Sequence, residues 1–135
     1  MNLFQLAATL PNGLHDAELR RLSVDYVEQT AVLELEIWVD DTDVFLELYR
    51  PARIVLKGLV YFVIQPPDAR YPFTQAGAVT IDLSAPETPV VSGGESESAF
   101  RLFISEFNSF IYADADAAEL EWLGEARSQL LEVGA

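Results

Sequence analysis

Between Leu22 and Val39, apolar and polar residues alternate at a period of two: Leu22, Val24 and Tyr26, then Leu33, Leu35, Ile37 and Val39, each sit beside polar or charged neighbours. A helix would repeat its apolar positions every ~3.6 residues, so this stretch specifies half-buried antiparallel strands. The first strand is expected over about Glu18 to Val27 and the second over about Ala31 to Val39, with Glu28-Gln29-Thr30 turning the chain between them. Asp40-Asp41-Thr42-Asp43 reads as a polar turn into a third strand, completing a meander. There Val44, Leu46 and Leu48 point one way and Phe45, Glu47 and Tyr49 the other.

Further along, Pro51 is expected to break the third strand. Arg53 to Ile64 follows, apolar on both faces around Leu59 to Ile64, as in a central strand covered on both sides. Gly58 within it signals a bulge or a close backbone approach. Gln65 to Pro72 is a proline-rich loop, and Val79, Ile81 and Leu83 mark a short strand. Ser84 to Ser98 is an exposed connection, after which Phe100, Leu102 and Ile104, then Phe110 and Tyr112, suggest a hairpin. At the N-terminus Asn2 can cap a short helix carrying Leu3, Leu6, Ala7 and Leu10, stopped by Pro11-Asn12-Gly13.

The C-terminal region supports two patterns. Asp116 with Glu119 resembles a helix-capping pair, and Leu120, Leu123, Ala126 and Leu130 follow helical spacing. Leu120 and Trp122 also alternate with Glu119, Glu121 and Leu123. A helix over about Ala117 to Glu132 is the expectation, although Gly124 in its interior would cost about 1 kcal/mol relative to alanine. The fold class that follows is one α+β domain, mainly antiparallel β. It would consist of two packed sheets or a partly open barrel, with a short N-terminal and a C-terminal helix.

Charge and composition exclude several functions. Twenty-two acids against eight bases give a formal charge of −14, which repels nucleic-acid phosphates and anionic lipid surfaces. With no cysteine there is no disulfide, no thiolate catalysis and no cysteine-containing zinc site. Leu59 to Ile64 is too short an apolar run to span a bilayer, and Met1 to Pro11 lacks the features of a secretory signal, so a cytoplasmic protein without membrane contact is expected. No phosphate-binding or nucleophile motif is present, and no cofactor is expected.

His15-Asp16 is the only pair with catalytic vocabulary, since histidine titrates near neutrality and a carboxylate can hold its imidazolium. Neighbours in sequence rarely face each other, so a hydrolase or small-molecule site there would need a further carboxylate from a distant segment. Asp40, Asp41 and Asp43 lack the glycine and terminal glutamate that a calcium loop requires. Asp114 and Asp116, which would share a strand face, could bind a hard cation together with Glu119, although turn and capping roles are the simpler reading. The largest constellation lies on the meander face opposite Leu33, Leu35 and Ile37. Glu34, Glu36 and Trp38 stand there beside Phe45, Glu47 and Tyr49, a mixture suited to binding a basic protein partner or to self-association.

Leu10-Pro11-Asn12-Gly13-Leu14-His15-Asp16-Ala17-Glu18-Leu19, followed by alternating strands, resembles the N-terminal part of small bacterial β-rich proteins of uncharacterised function, some of them grouped with toxin-immunity proteins. Over residues 10 to 64 that resemblance implies a β-rich domain that blocks a partner by surface complementarity, with no catalytic residues to carry over. A non-enzymatic binding or immunity-like module is therefore the leading functional expectation. A small-molecule binder or hydrolase at His15-Asp16 and a self-associating subunit are the alternatives.

Overall fold

The computed structural model describes residues 1–43, 46–73, 77–87 and 96–128. The alternating stretch forms a hairpin of β1 (Ala17–Asp25) and β2 (Thr30–Asp43), and β2 pairs onward with β3 (Leu46–Ile64). A second meander follows, of β4 (Val79–Ser84), β5 (Ala99–Ile104) and β6 (Ser109–Trp122), ending in the two-residue β7 (Arg127–Ser128). β1 pairs with β4 and β3 with β6, all antiparallel, so the two meanders close on each other in the ring β1-β2-β3-β6-β5-β4. The result is a closed six-stranded antiparallel barrel with one short helix, α1 (Leu3–Ala8). This corrects the expected α+β arrangement of two packed sheets or a partly open barrel with a C-terminal helix.

The region expected as a C-terminal helix belongs instead to β6 up to Trp122, and Arg127–Ser128 is β7. Helical spacing fails because Ala118, Leu120 and Trp122 turn inward opposite Leu56, Ile54 and Ala52 of β3, and a strand ladder satisfies every backbone group that a helix would. Residues 129–132 of that expected helix lie outside the described residues. Pro51 does not break β3 either. Its carbonyl accepts from Leu123 N–H, away from β2, so its missing N–H falls where β6 has ended and β7 has not begun. β2 likewise runs on through Asp43, where a turn was expected.

Inside the barrel, Leu33, Leu35 and Ile37 of β2 meet Ile54 and Leu56 of β3, Phe100 and Leu102 of β5, and Ile81 of β4, all buried. Ala31, Ala52, Ala113, Ala115 and Ala118 fill the positions between them, as a barrel this narrow requires. Each large side chain so buried is worth roughly 1.5–3 kcal/mol. Two irregularities shape the ring. Along β3 and β6 the inward set shifts from Leu56 and Ala118 to Leu59 and Ala115 across Gly58 and Asp116, and the register then slips between Leu59 and Tyr61. Gly58 adopts φ +62°, and a β-carbon there would lie 2.5 Å from Asp116 Oδ2, which is the close approach its presence signals. From Gly58 onward, the side chains of Val60, Val63 and Ile64 are exposed, so this part of β3 is not covered on both faces.

The barrel's two ends differ. At the end where β1 begins and β4 finishes, α1 lies across the opening with Leu3, Leu6 and Ala7 buried in the core, joined by Leu14. Asn2 caps it, accepting from Gln5 N–H at 2.9 Å while Gln5 Oε1 accepts from Asn2 N–H at 2.8 Å. At the opposite end, no helix among the described residues covers the opening. Gln65 to Phe73 leaves β3 and passes the β5–β6 turn, and Gly77 and Ala78 lead into β4 on the other side of the ring.

Candidate functional site

The uncovered end holds a pocket of about 440 Å³. It forms because the β1–β4 ladder is short: only Ala17, Glu18 and Leu19 pair with Ile81, Thr80 and Val79. At Arg20 the β1–β2 register gains one residue on β1, a bulge that sends Arg20 and Arg21 outward in succession while Leu19 and Leu22 stay on the inner face. From there to Asp25, β1 has no strand on its β4 side, and the barrel interior opens between Leu19, Leu22, Val79, Ile104 and Ile111.

The pocket's outer wall is held in place by a hydrogen-bonded strap. Gln65 N–H donates to Phe110 O and Gln65 Oε1 accepts from Phe110 N–H, both at 3.0 Å, while Asp68 N–H donates to Phe107 O at 2.9 Å. Asn108 Nδ2 donates to Asp68 at 3.2 Å, and the Arg70 guanidinium, hydrogen-bonded to the same carboxylate, holds it well below the usual range. Pro66 and Pro67 stiffen the turn between these bonds. Phe73, largely exposed, stacks on Phe107 with ring centroids 4.3 Å apart, and both line the pocket.

Three charged residues, Arg20, Arg21 and Glu106, line the pocket with these apolar groups, and Arg20 is tied to Glu36 on the outer face. Glu106 accepts from Thr80 N–H at 2.7 Å, from Thr80 Oγ1 at 2.8 Å and from Ser105 Oγ at 3.1 Å. Burial pushes its carboxyl up, but these hydrogen bonds outweigh burial and hold it below the ordinary value. Arg21, exposed at the rim, makes no hydrogen bond or ion pair with any described residue. Sequence reasoning missed this whole site. The double arginine at positions 20 and 21 inside an alternating strand was the one available signal, since two adjacent polar residues there imply a bulge.

His15 lies at the plugged end, in the connection from α1 to β1, and the distant carboxylate it needed is Asp82 of β4. His15 Nδ1 meets Asp82 Oδ1 at 2.6 Å, Nε2 lies 3.4 Å from Asp16 Oδ2, and Asp16 N–H donates to Asp82 at 3.3 Å. The Asp82 hydrogen bond raises the histidine's pKa, burial opposes it, and the charges of Asp16 and Asp82 add to the rise. With a carboxylate at each ring nitrogen, the protonated ring is favoured and neither nitrogen is free to take a proton from a substrate. His15, Asp16 and Asp82 present ligand atoms all within 4.8 Å of one another, so they could gather a metal ion. At 2.6 Å, His15 Nδ1 and Asp82 Oδ1 stand at hydrogen-bond distance from each other. The geometry is that of a clasp between the α1–β1 connection and β4.

The other carboxylates named from sequence are dispersed. Asp114 is buried and accepts from Ser98 Oγ, the Asp116 side chain lies over Gly58, and Glu119 pairs with Lys57 at 2.8 Å. Among the described residues these three form no metal-ligand cluster. Phe45 and the side chains of Asp40, Asp41, Asp43 and Glu47 lie outside the described residues.

On the meander's outer face, Glu36 is only 1% exposed: Arg20 covers it through Nε at 3.0 Å and through Nη2, and Arg127 Nη2 reaches its other oxygen at 2.9 Å. Burial pushes Glu36 up, and the two guanidinium groups more than reverse this. Glu34 is shared with Arg53, Tyr49 is buried, and Trp38 is half-buried with its ring 6.2 Å from His15. Of the expected acidic-aromatic surface, Glu34 and Trp38 are the side chains within the described residues that retain solvent contact. No helix among the described residues is long and apolar enough to cross a membrane.

A comparison with protein families, curated proteins and solved structures finds no match for this chain.

Proposed function

We propose that this protein binds a small, largely apolar molecule in the mouth of its barrel. One observation carries the reading: the interior is packed at the α1 end and left open at the other, as a pocket whose volume falls within the ~300–1,000 Å³ range of small-molecule sites. Barrel mouths are a recurrent place for such sites, because the strands hold the walls rigid while loops shape the entrance. A core position left unfilled costs stability, as lost contacts and exposed apolar surface, unless a ligand restores the packing. Binding through the acidic-aromatic face is the weaker reading because Glu36 is occupied by Arg20 and Arg127.

Titration with Nile red, an uncharged dye that brightens in apolar surroundings, tests the proposal. Saturable binding by the wild type is expected. Leu22→Trp, which adds bulk on the inner face of the mouth, should weaken it at least about tenfold. Undiminished dye binding by a Leu22→Trp variant whose circular dichroism and melting match the wild type would place the dye elsewhere and contradict the proposal.

A further inference from the structure

The charges around the pocket carry the reading one step further. Every lysine and arginine other than Arg21 is engaged within the described residues: Arg20 and Arg127 with Glu36, Arg53 with Glu34 and Glu121, Lys57 with Glu119, Arg70 with Asp68, Arg101 with Glu87, and Arg50 with the Gly124 carbonyl and the Trp122 ring. Arg21 has Glu34 of β2 opposite it in the ladder, but that carboxylate pairs with Arg53. Arg21 itself makes no ion pair with any described residue, and it stands on the rim of the apolar pocket, aimed outward by the bulge at Arg20.

We infer that the pocket takes an amphiphile with a carboxylate head, which pairs with Arg21 while its hydrocarbon body lies against Leu19, Leu22, Ile104 and Ile111. This rests on the mouth-pocket reading. The planar guanidinium offers two parallel N–H groups to a carboxylate, and among the described residues no acid is ion-paired with it, Glu34 opposite being held by Arg53. Of the other charged residues lining the pocket, Arg20 is paired with Glu36, and Glu106 does not cancel Arg21. Its oxygens are taken by Thr80 and Ser105, and it makes no ion pair with the arginine. The surrounding acidity repels small free anions in general, so the apolar body is needed to bring the carboxylate to Arg21.

Calorimetric titration of the full chain at low salt with decanoate, decanol and decyltrimethylammonium, which share a chain length and differ in head charge, separates the two levels of this reading. Decanoate should bind roughly fivefold tighter than decanol, a size set by the exposure of Arg21. Arg21→Gln should erase that preference while leaving decanol affinity unchanged, and Arg21→Lys should restore part of it. Equal or tighter binding of decanol or the ammonium by the wild type, or a decanoate preference that survives Arg21→Gln, would overturn the carboxylate inference and leave the apolar pocket standing. Failure of all three compounds to bind would overturn the pocket reading itself.

Discussion

At the residue scale, opposite charges are handled in two ways. Glu36 is buried and neutralised by two arginines, so its depressed pKa contributes stability that is present above the unfolded value and lost as pH falls through the folded one. His15 works in the reverse sense. Its raised pKa makes the clasp to Asp82 complete below the unfolded histidine value, and the contribution is lost as pH rises through the folded value. Histidine ring NMR of the wild type and Asp82→Asn should therefore show the His15 titration midpoint fall in the variant, because the largest cause of the rise is removed. An unchanged midpoint would mean that Asp82 does not hold the ring. His15-Asp16 was visible in the sequence as a pair, whereas Asp82, sixty-six positions beyond Asp16, was not, since only the β1–β4 pairing brings them together.

At the scale of elements, the strands were legible wherever alternation had one phase. β1, β2, β5 and the start of β6 appeared in the sequence because one face of each is core. The end of β6 was misread because Leu120, Leu123, Ala126 and Leu130 satisfy helical spacing as well, and only the ladder to β3 decides between the two. Pro51 was misread because a proline's cost depends on which neighbour its nitrogen faces, a property of the sheet and not of the strand. Gly58 was read correctly, and its role makes a sharp prediction: Gly58→Ala should destabilise the protein by about 1–3 kcal/mol in urea unfolding. The added β-carbon must both hold a left-handed backbone and displace the Asp116 side chain. Gly58→Ala with Asp116→Ala should recover part of the loss by removing the collision while the backbone strain remains. A neutral single substitution would mean that the backbone at Gly58 and the Asp116 side chain over it are soft.

At the scale of the whole molecule, the barrel is a cup: α1 plugs one end, and Gln65 to Pro67 with Phe73 border an opening at the other. No local pattern announces such a cavity, because it is defined by where the β1–β4 ladder stops and by an arginine's lack of a partner. The most direct measurement is therefore a full-chain NMR titration with decanoate, following backbone amides and side-chain methyls together. Saturable shifts concentrated on Leu19, Leu22, Ile104 and Ile111, with those of Leu3, Leu6 and Trp38 unmoved, are the predicted result. Shifts centred on Trp38 and Glu34, or none that saturate, would contradict a ligand-binding mouth.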